Sequence, residues 1–226
     1  MNAPTTRPLK IYFAGDLFDA KDLGGNLLLA AAIERCSNGK YLPQLPQDGE
    51  SEVHERTSQS IRDEDFKLLL NCDIIVANFD GPDPDSGTVA EFCFAKMVDM
   101  PAVLLRTDFR DSGDATLPDG CPWNLMCSHF PRTGVLHINS MERYHRFRNE
   151  NDSIHNRLEK FYNSIAEEII VELDKVIAQK SWLKSDEALS QYRNAVKSMG
   201  GGMSEHFPEA QLTGLIHSKI EMKLYQ

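Results

Sequence analysis

The segment Asp73–Phe79, DIIVANF, limits what this chain can fold into more than any other stretch. Apolar residues run through it almost without a break, so a strand built from it has no face to offer water. Strands of that kind belong to parallel sheets covered by helices above and below. The flanking sequence fits. Residues 57–71 form a helical pattern with Ile61, Leu68, Leu69 and Cys72 on one stripe, and Thr88–Met100 forms the next helix. Lys10–Ala14 reads as a first strand, residues 22–36 as a Leu/Ala-rich helix and Tyr41–Pro43 as a short second strand. Pro101–Leu105 is a strand opened by proline, an allowed place for it, and Gly134–Ile138 is the last. The order β-α-β-α-β-α-β-β predicts an α/β fold, a mostly parallel five-stranded sheet with helices on both faces. Residues 142–199 read as helical throughout. The run Gly200-Gly201-Gly202 ends that part, and a final helix spans Glu209–Leu224. The expected division is an α/β domain over residues 1–140 and a helical C-terminal part over 141–226. The latter packs on the same domain or forms a subunit contact.

Composition narrows the partners. Apolar residues make up 41% and charged residues 26%, ordinary for a chain with a core, and the net charge is -10. That field repels nucleic acid polymers, which bind through Lys and Arg on phosphate. No stretch approaches the roughly 18 apolar residues of a membrane helix, and the N-terminus lacks the apolar core of a signal peptide. Five cysteines without CxxC spacing read as reduced thiols of a cytoplasmic protein. The scattered histidines give no metal-ligand spacing, so no metal is expected.

In a sheet of this class, ligands bind beyond the carboxyl ends of the strands. The loops after Ala14, Phe79 and Leu105 are therefore the places to search. The last is long, running to about Thr133, as functional loops and lids often do. After the central strand comes a turn-rich stretch, Gly81-Pro82-Asp83-Pro84, then Asp85-Ser86-Gly87-Thr88-Val89-Ala90-Glu91. Thr88 and Glu91 have the spacing of a capping box, which needs no function. Yet Glu91 is the only charged residue between Thr88 and Ala95, and a helix N-terminus would hold its carboxylate ionised, as a nucleophile requires. Asp65 is a second anomaly, because it sits on the stripe that should be apolar. A buried Asp needs a partner or a raised pKa, and the raised pKa would make it a proton donor. Either of those, or a slipped stripe, accounts for it. Its neighbours Asp63 and Glu64 read as solvated charges, with Asp63 able to pair with Lys67. One ionised carboxylate and one protonated one at a single cleft is the arrangement that glycosidic chemistry requires.

These residues, in order, resemble the nucleoside 2-deoxyribosyltransferase family. The likeness is carried by Ile11-Tyr12-Phe13-Ala14-Gly15 with Phe18, by Asp65 and Asp73, by Asp85 and Glu91 within DSGTVAE, and by Asn124-Leu125-Met126, over residues 9–140. The resemblance implies a flavodoxin-like or Rossmann-like domain. It implies transfer of a 2-deoxyribosyl group between nucleobases by double displacement, with Glu91 as covalent nucleophile. Tyr12 matches the tyrosine that holds that carboxylate, and Asp65 the acid/base serving the nucleobase. Asp85 matches a ligand of the sugar hydroxyls, and Phe18, with Gly15, the lining of the base pocket. Gln47 matches a base-contacting glutamine. Asn124 and Met126 match residues lent by a neighbouring subunit, which implies a homo-oligomer with a shared site. The partners implied are a deoxynucleoside and a free nucleobase, with no cofactor. Leu17 stands where the family often has a bulky aromatic. The C-terminal 80 or so residues have no counterpart in its shortest members, whose own C-terminus helps build the site, a role open to Tyr225-Gln226 here.

Three other readings share these residues. A hydrolase on the same scaffold would let water take the sugar, although the acidic loop Gly15-Asp16-Leu17-Phe18-Asp19 disfavours an anionic substrate. Gly87-Thr88-Val89-Ala90-Glu91 also fits part of the motif of lysine-decarboxylase-like phosphoribohydrolases, but the preceding diglycine is absent. A nucleoside-binding sensor would use the same carboxylates without turnover.

Overall fold

The computed structural model describes residues 7–49, 57–111, 113–116, 118–149 and 151–225. Five strands, β1 (Leu9–Ala14), β2 (Tyr41–Gln44), β3 (Ile74–Asn78), β4 (Ala102–Arg106) and β5 (Thr133–His137), form one sheet in the order β2-β1-β3-β4-β5. Every neighbouring pair is parallel. This is the expected flavodoxin-like α/β architecture, and β3, the DIIVANF strand, lies at its centre with Ile74, Ile75, Val76 and Ala77 fully buried.

The helices are α1 (Ala20–Cys36), α2 (Ser58–Asn71), α3 (Ser86–Met97), α4 (Ser140–Arg146), α5 (Ile154–Ala178), α6 (Ser185–Met199), α7 (Met203–His206) and α8 (Glu209–Glu221). From β1 the chain steps outward to β2, then back past β1 to β3 and on to β4. Right-handed crossovers therefore place α1 on one face and α2 and α3 on the other. The reversal falls between β1 and β3, so their carboxyl ends open the crevice where such sheets take ligands. The C-terminal helices are shared between the faces. α5 packs on α1, β4 and β5, whereas α6 packs on α3 and α8, and α7 on α2.

The fold departs from the sequence reading in four places. Residues 142–199 are not one helical stretch. The chain turns at Ser153, whose hydroxyl caps α5 at Asn156 N (3.1 Å), and again at Ser181-Trp182-Leu183. There Asp99 accepts from Ser181 Oγ (2.6 Å) and Trp182 N (3.2 Å). The buried stripe of α2 is also shifted. Asp63, Phe66, Leu69 and Leu70 face inward, and Ile61 is 44% exposed. Asp63, expected to be solvated, is 2% exposed, because a loop of the C-terminal part covers it. Finally, α3 begins at Ser86, not Thr88. Its cap is Asp85, whose Oδ2 accepts from Thr88 N (2.8 Å), so Thr88 is inside the helix and forms no capping box with Glu91.

Candidate active site

Tyr12 lies on β1 and is fully buried. Alternation along the strand aims its ring at the α3 face of the sheet. There its hydroxyl donates to Glu91 Oε1 at 2.5 Å. Glu91 sits in the second turn of α3, beyond the first turn where the helix dipole acts most strongly. Burial therefore dominates its titration and pushes its carboxyl up to about 7. The Tyr12 hydroxyl pulls the other way, and the Asp65 and Asp85 charges add to the rise. The expectation that the helix terminus keeps Glu91 ionised does not hold, since the added residues of α3 ahead of Thr88 carry it away from that terminus.

Asp65 approaches from the neighbouring helix, α2. It is partly buried, and burial, with the Glu64 charge, pushes its carboxyl up to about 6. The structure thus brings Tyr12, Glu91, Asp65 and Asp85 together at the carboxyl ends of β1 and β3. A partly buried carboxylate gripped by a hydroxyl can act as a nucleophile, and a second carboxyl with raised pKa can give and take a proton near neutrality.

Asp16, in the loop after β1, belongs to the same field and was not singled out from the sequence. Its carboxyl is pushed up by burial and by Asp85, Asp22, Asp80 and Asp19. Its position two residues past a strand end was the available signal. Asp80, just after β3, accepts from Thr107 N (2.5 Å), Thr107 Oγ1 (2.6 Å) and Asp108 N (2.8 Å), and so ties the ends of β3 and β4. On the α1–α5 side a cavity of about 260 Å³ opens beside Asp16, Asp22 and Asp80.

The other sequence-derived candidates are placed as follows. Gly15 follows β1 and lies against Asn78, where an added Cβ would lie 3.2 Å from the Asn78 Cβ. Phe18 is 76% exposed before α1. Gln47 donates from Nε2 to Leu23 O (3.0 Å), joining its loop to α1. Asn124 caps a short 3-10 turn, accepting from Met126 N (3.0 Å), and both residues are exposed. The loop that carries them is anchored by Trp123, 1% exposed, whose ring meets Phe79 edge-on at 5.4 Å. Phe130 meets Phe92 of α3 in the same way at 5.2 Å. Tyr225 does not reach the Glu91 group. It is buried, its hydroxyl pairs with that of Tyr192 (2.8 Å) and donates to Val98 O (3.0 Å), and Gln226 lies outside the described residues.

Comparison with known protein families matches residues 11–126, about half of the chain, to the family described as nucleoside 2-deoxyribosyltransferase. The chain belongs to that family. Membership makes it a deoxyribosyltransferase, an enzyme acting on nucleosides and nucleobases. The matched range includes Tyr12, Asp65, Asp85, Glu91, Asn124 and Met126, while α4 to α8 lie beyond it. Among solved structures, a conserved protein from Enterococcus faecalis V583 is 25% identical, with 70% of this chain and 99% of that chain covered and a TM-score of 0.47. A 2-desoxiribosyltransferase from Leishmania mexicana is 23% identical, with 56% and 90% covered and a TM-score of 0.44. No curated protein matches the chain.

Proposed function

We propose that this nucleoside 2-deoxyribosyltransferase works by double displacement through Glu91. The Glu91 carboxylate attacks C1′ of a 2-deoxynucleoside as the bond from C1′ to the base nitrogen breaks. Asp65 gives its proton to the departing base, and the sugar is left as an ester on Glu91. A second base then attacks C1′, Asp65 takes up its proton, and the ester bond breaks to restore the Glu91 carboxylate. Two inversions retain the anomeric configuration. The observation that carries this reading is the 2.5 Å hydrogen bond from Tyr12 to Glu91, with the Asp65 carboxyl on the adjacent helix. Tyr12 is suited to hold the attacking oxygen in place and Asp85 to receive the sugar hydroxyls. Gly15, Phe18 and Gln47 are assigned to the base pocket on their match to the family pattern. The exposed Asn124 and Met126 fit presentation to a second subunit, giving a homo-oligomer with a shared site.

The test is to mix the purified protein with deoxyadenosine and free cytosine or hypoxanthine and to separate the products by chromatography, with Glu91→Ala alongside. The expected result is a new deoxynucleoside that falls by roughly a thousandfold or more in the variant. Free base and deoxyribose without a new nucleoside would mark a hydrolase on the same site. No turnover across purine and pyrimidine donors would mark a binding module.

A further inference from the structure

The part of the chain beyond the family match grips the helix that carries Asp65. Asp63 of α2 accepts from Gly202 N with Oδ2 (2.7 Å) and from Arg62 Nη1 with Oδ1 (2.6 Å). Arg62 also donates through Nη2 to Met199 O, at the end of α6. The loop between α6 and α7 fits closely because it lacks side chains. Gly200 and Gly201 have φ of 64° and 58°, and a Cβ on Gly201 would lie 2.6 Å from Asp63 Oδ1. The contact continues inward, with the Arg62 guanidinium over the Phe66 ring at 4.8 Å and Phe66 edge-on to Phe94 at 4.8 Å. Phe94 lies one turn after Glu91 on α3.

Helix geometry gives the clasp a consequence for the site. At 100° per residue, Asp63 and Asp65 stand on opposite edges of the buried stripe formed by Phe66, Leu69 and Leu70. Fixing one edge fixes the roll of the helix, and with it the position of the other edge. The apolar stripe alone holds α2 less firmly, since side chains of similar shape tolerate small rotations that a buried, hydrogen-bonded carboxylate does not.

We propose that the Asp63–Gly202 clasp is a positioning device by which the C-terminal helices set Asp65 against Glu91 and the leaving base. Asp63 is a positioning residue and not a catalytic one. The proposal rests on the reading of Asp65 as the acid/base.

The test compares Asp63→Ala, Asp63→Asn and Gly201→Ala in the full-length protein. The first removes the acceptor, the second keeps an oxygen for Gly202 N, and the third drives a methyl into Asp63 from the other side. Base exchange per folded molecule gives kcat and KM, and carbon NMR of the carboxyl groups, assigned with Asp65→Asn, follows the Asp65 titration. The expected result is a kcat lowered roughly tenfold or more in Asp63→Ala and Gly201→Ala, with KM little changed, and partial recovery in Asp63→Asn. The Asp65 titration moves in Asp63→Ala and Gly201→Ala. Gly201→Ala keeps the test available if Asp63→Ala does not fold. Wild-type kcat and an unmoved Asp65 titration in the clasp variants would overturn the proposal. Full exchange activity in Asp65→Asn would instead remove the reading of Asp65 as the acid, which the NMR titration detects separately.

Discussion

Glu91 is balanced between burial, which favours its protonated form, and the Tyr12 hydroxyl, which favours the carboxylate. With Glu91 at about 7 and Asp65 at about 6, the form needed for the first step has Glu91 ionised and Asp65 protonated. The population of that form rises with pH through the Asp65 value, because below it Glu91 is protonated along with Asp65, and falls above the Glu91 value, where Asp65 has lost its proton. The expected kcat/KM profile is therefore a narrow bell peaking between about 6 and 7, its limbs belonging to the coupled pair. In Tyr12→Phe the bond favouring the carboxylate is gone, so Glu91 rises further. The alkaline limb then moves to higher pH and the maximum falls by roughly ten- to a hundredfold, the worth of a charged hydrogen bond of about 1.5–3 kcal/mol. A profile whose alkaline limb stays in place when the hydroxyl is removed would contradict this account of Glu91.

Among the elements, β3 has a double role. Its C-terminal end faces the crevice, and its N-terminal end is moored by Asp73, whose side chain is fully buried. Arg7 donates to both Asp73 oxygens (2.6 and 2.9 Å), Lys10 N donates to one (2.9 Å), and Lys219 of α8 lies 3.6 Å away. Burial opposes the Asp73 charge, but the Arg7 hydrogen bonds, the Lys219 charge and the Lys10 N–H outweigh it and hold the carboxyl below its ordinary range. A depressed folded-state value means that this stabilisation is complete above the ordinary carboxylate range and is lost as pH falls through the folded value. Asp73→Ala leaves the buried Lys219 ammonium with its hydrogen bond to Cys72 O but without its counter-charge, and is expected to cost about 3–5 kcal/mol at neutral pH, or roughly 10 °C in Tm. Thermal melts at neutral and acid pH check it. The difference from wild type should shrink in acid, and a difference independent of pH would be against it.

For the molecule as a whole, what was legible in the sequence is what is written in local pattern. The DIIVANF run declared a strand covered on both faces, and the alternation of strands and helices pointed to a mostly parallel sheet, whereas the strand order β2-β1-β3-β4-β5 is seen only in the structure. Glu91 and Asp65 stood out because charged groups interrupt apolar helical patterns, whereas Tyr12 and Asp85 were reached through the family resemblance. Contacts between distant segments were not legible. The inward turn of Asp63 depends on Gly202, 139 residues away, and the break at Ser181 depends on Asp99, 82 residues away. The raised pKa of Glu91 comes first from burial, with the Asp65 and Asp85 charges adding to it, and neither is written in the local pattern around Glu91. The raised pKa of Asp16 is not legible either, because a loop aspartate looks solvated until the carboxylates around it are placed in space.

The central claim is that Glu91 carries the sugar between bases. It is tested most directly by quenching the protein in the presence of a 2-deoxynucleoside and no acceptor base, then measuring its intact mass and mapping the peptides. The account predicts a gain of one 2-deoxyribosyl unit on the peptide containing Glu91, lost on addition of a nucleobase and absent in Glu91→Ala. Full base exchange with no adduct, or with the adduct on another residue, would contradict it.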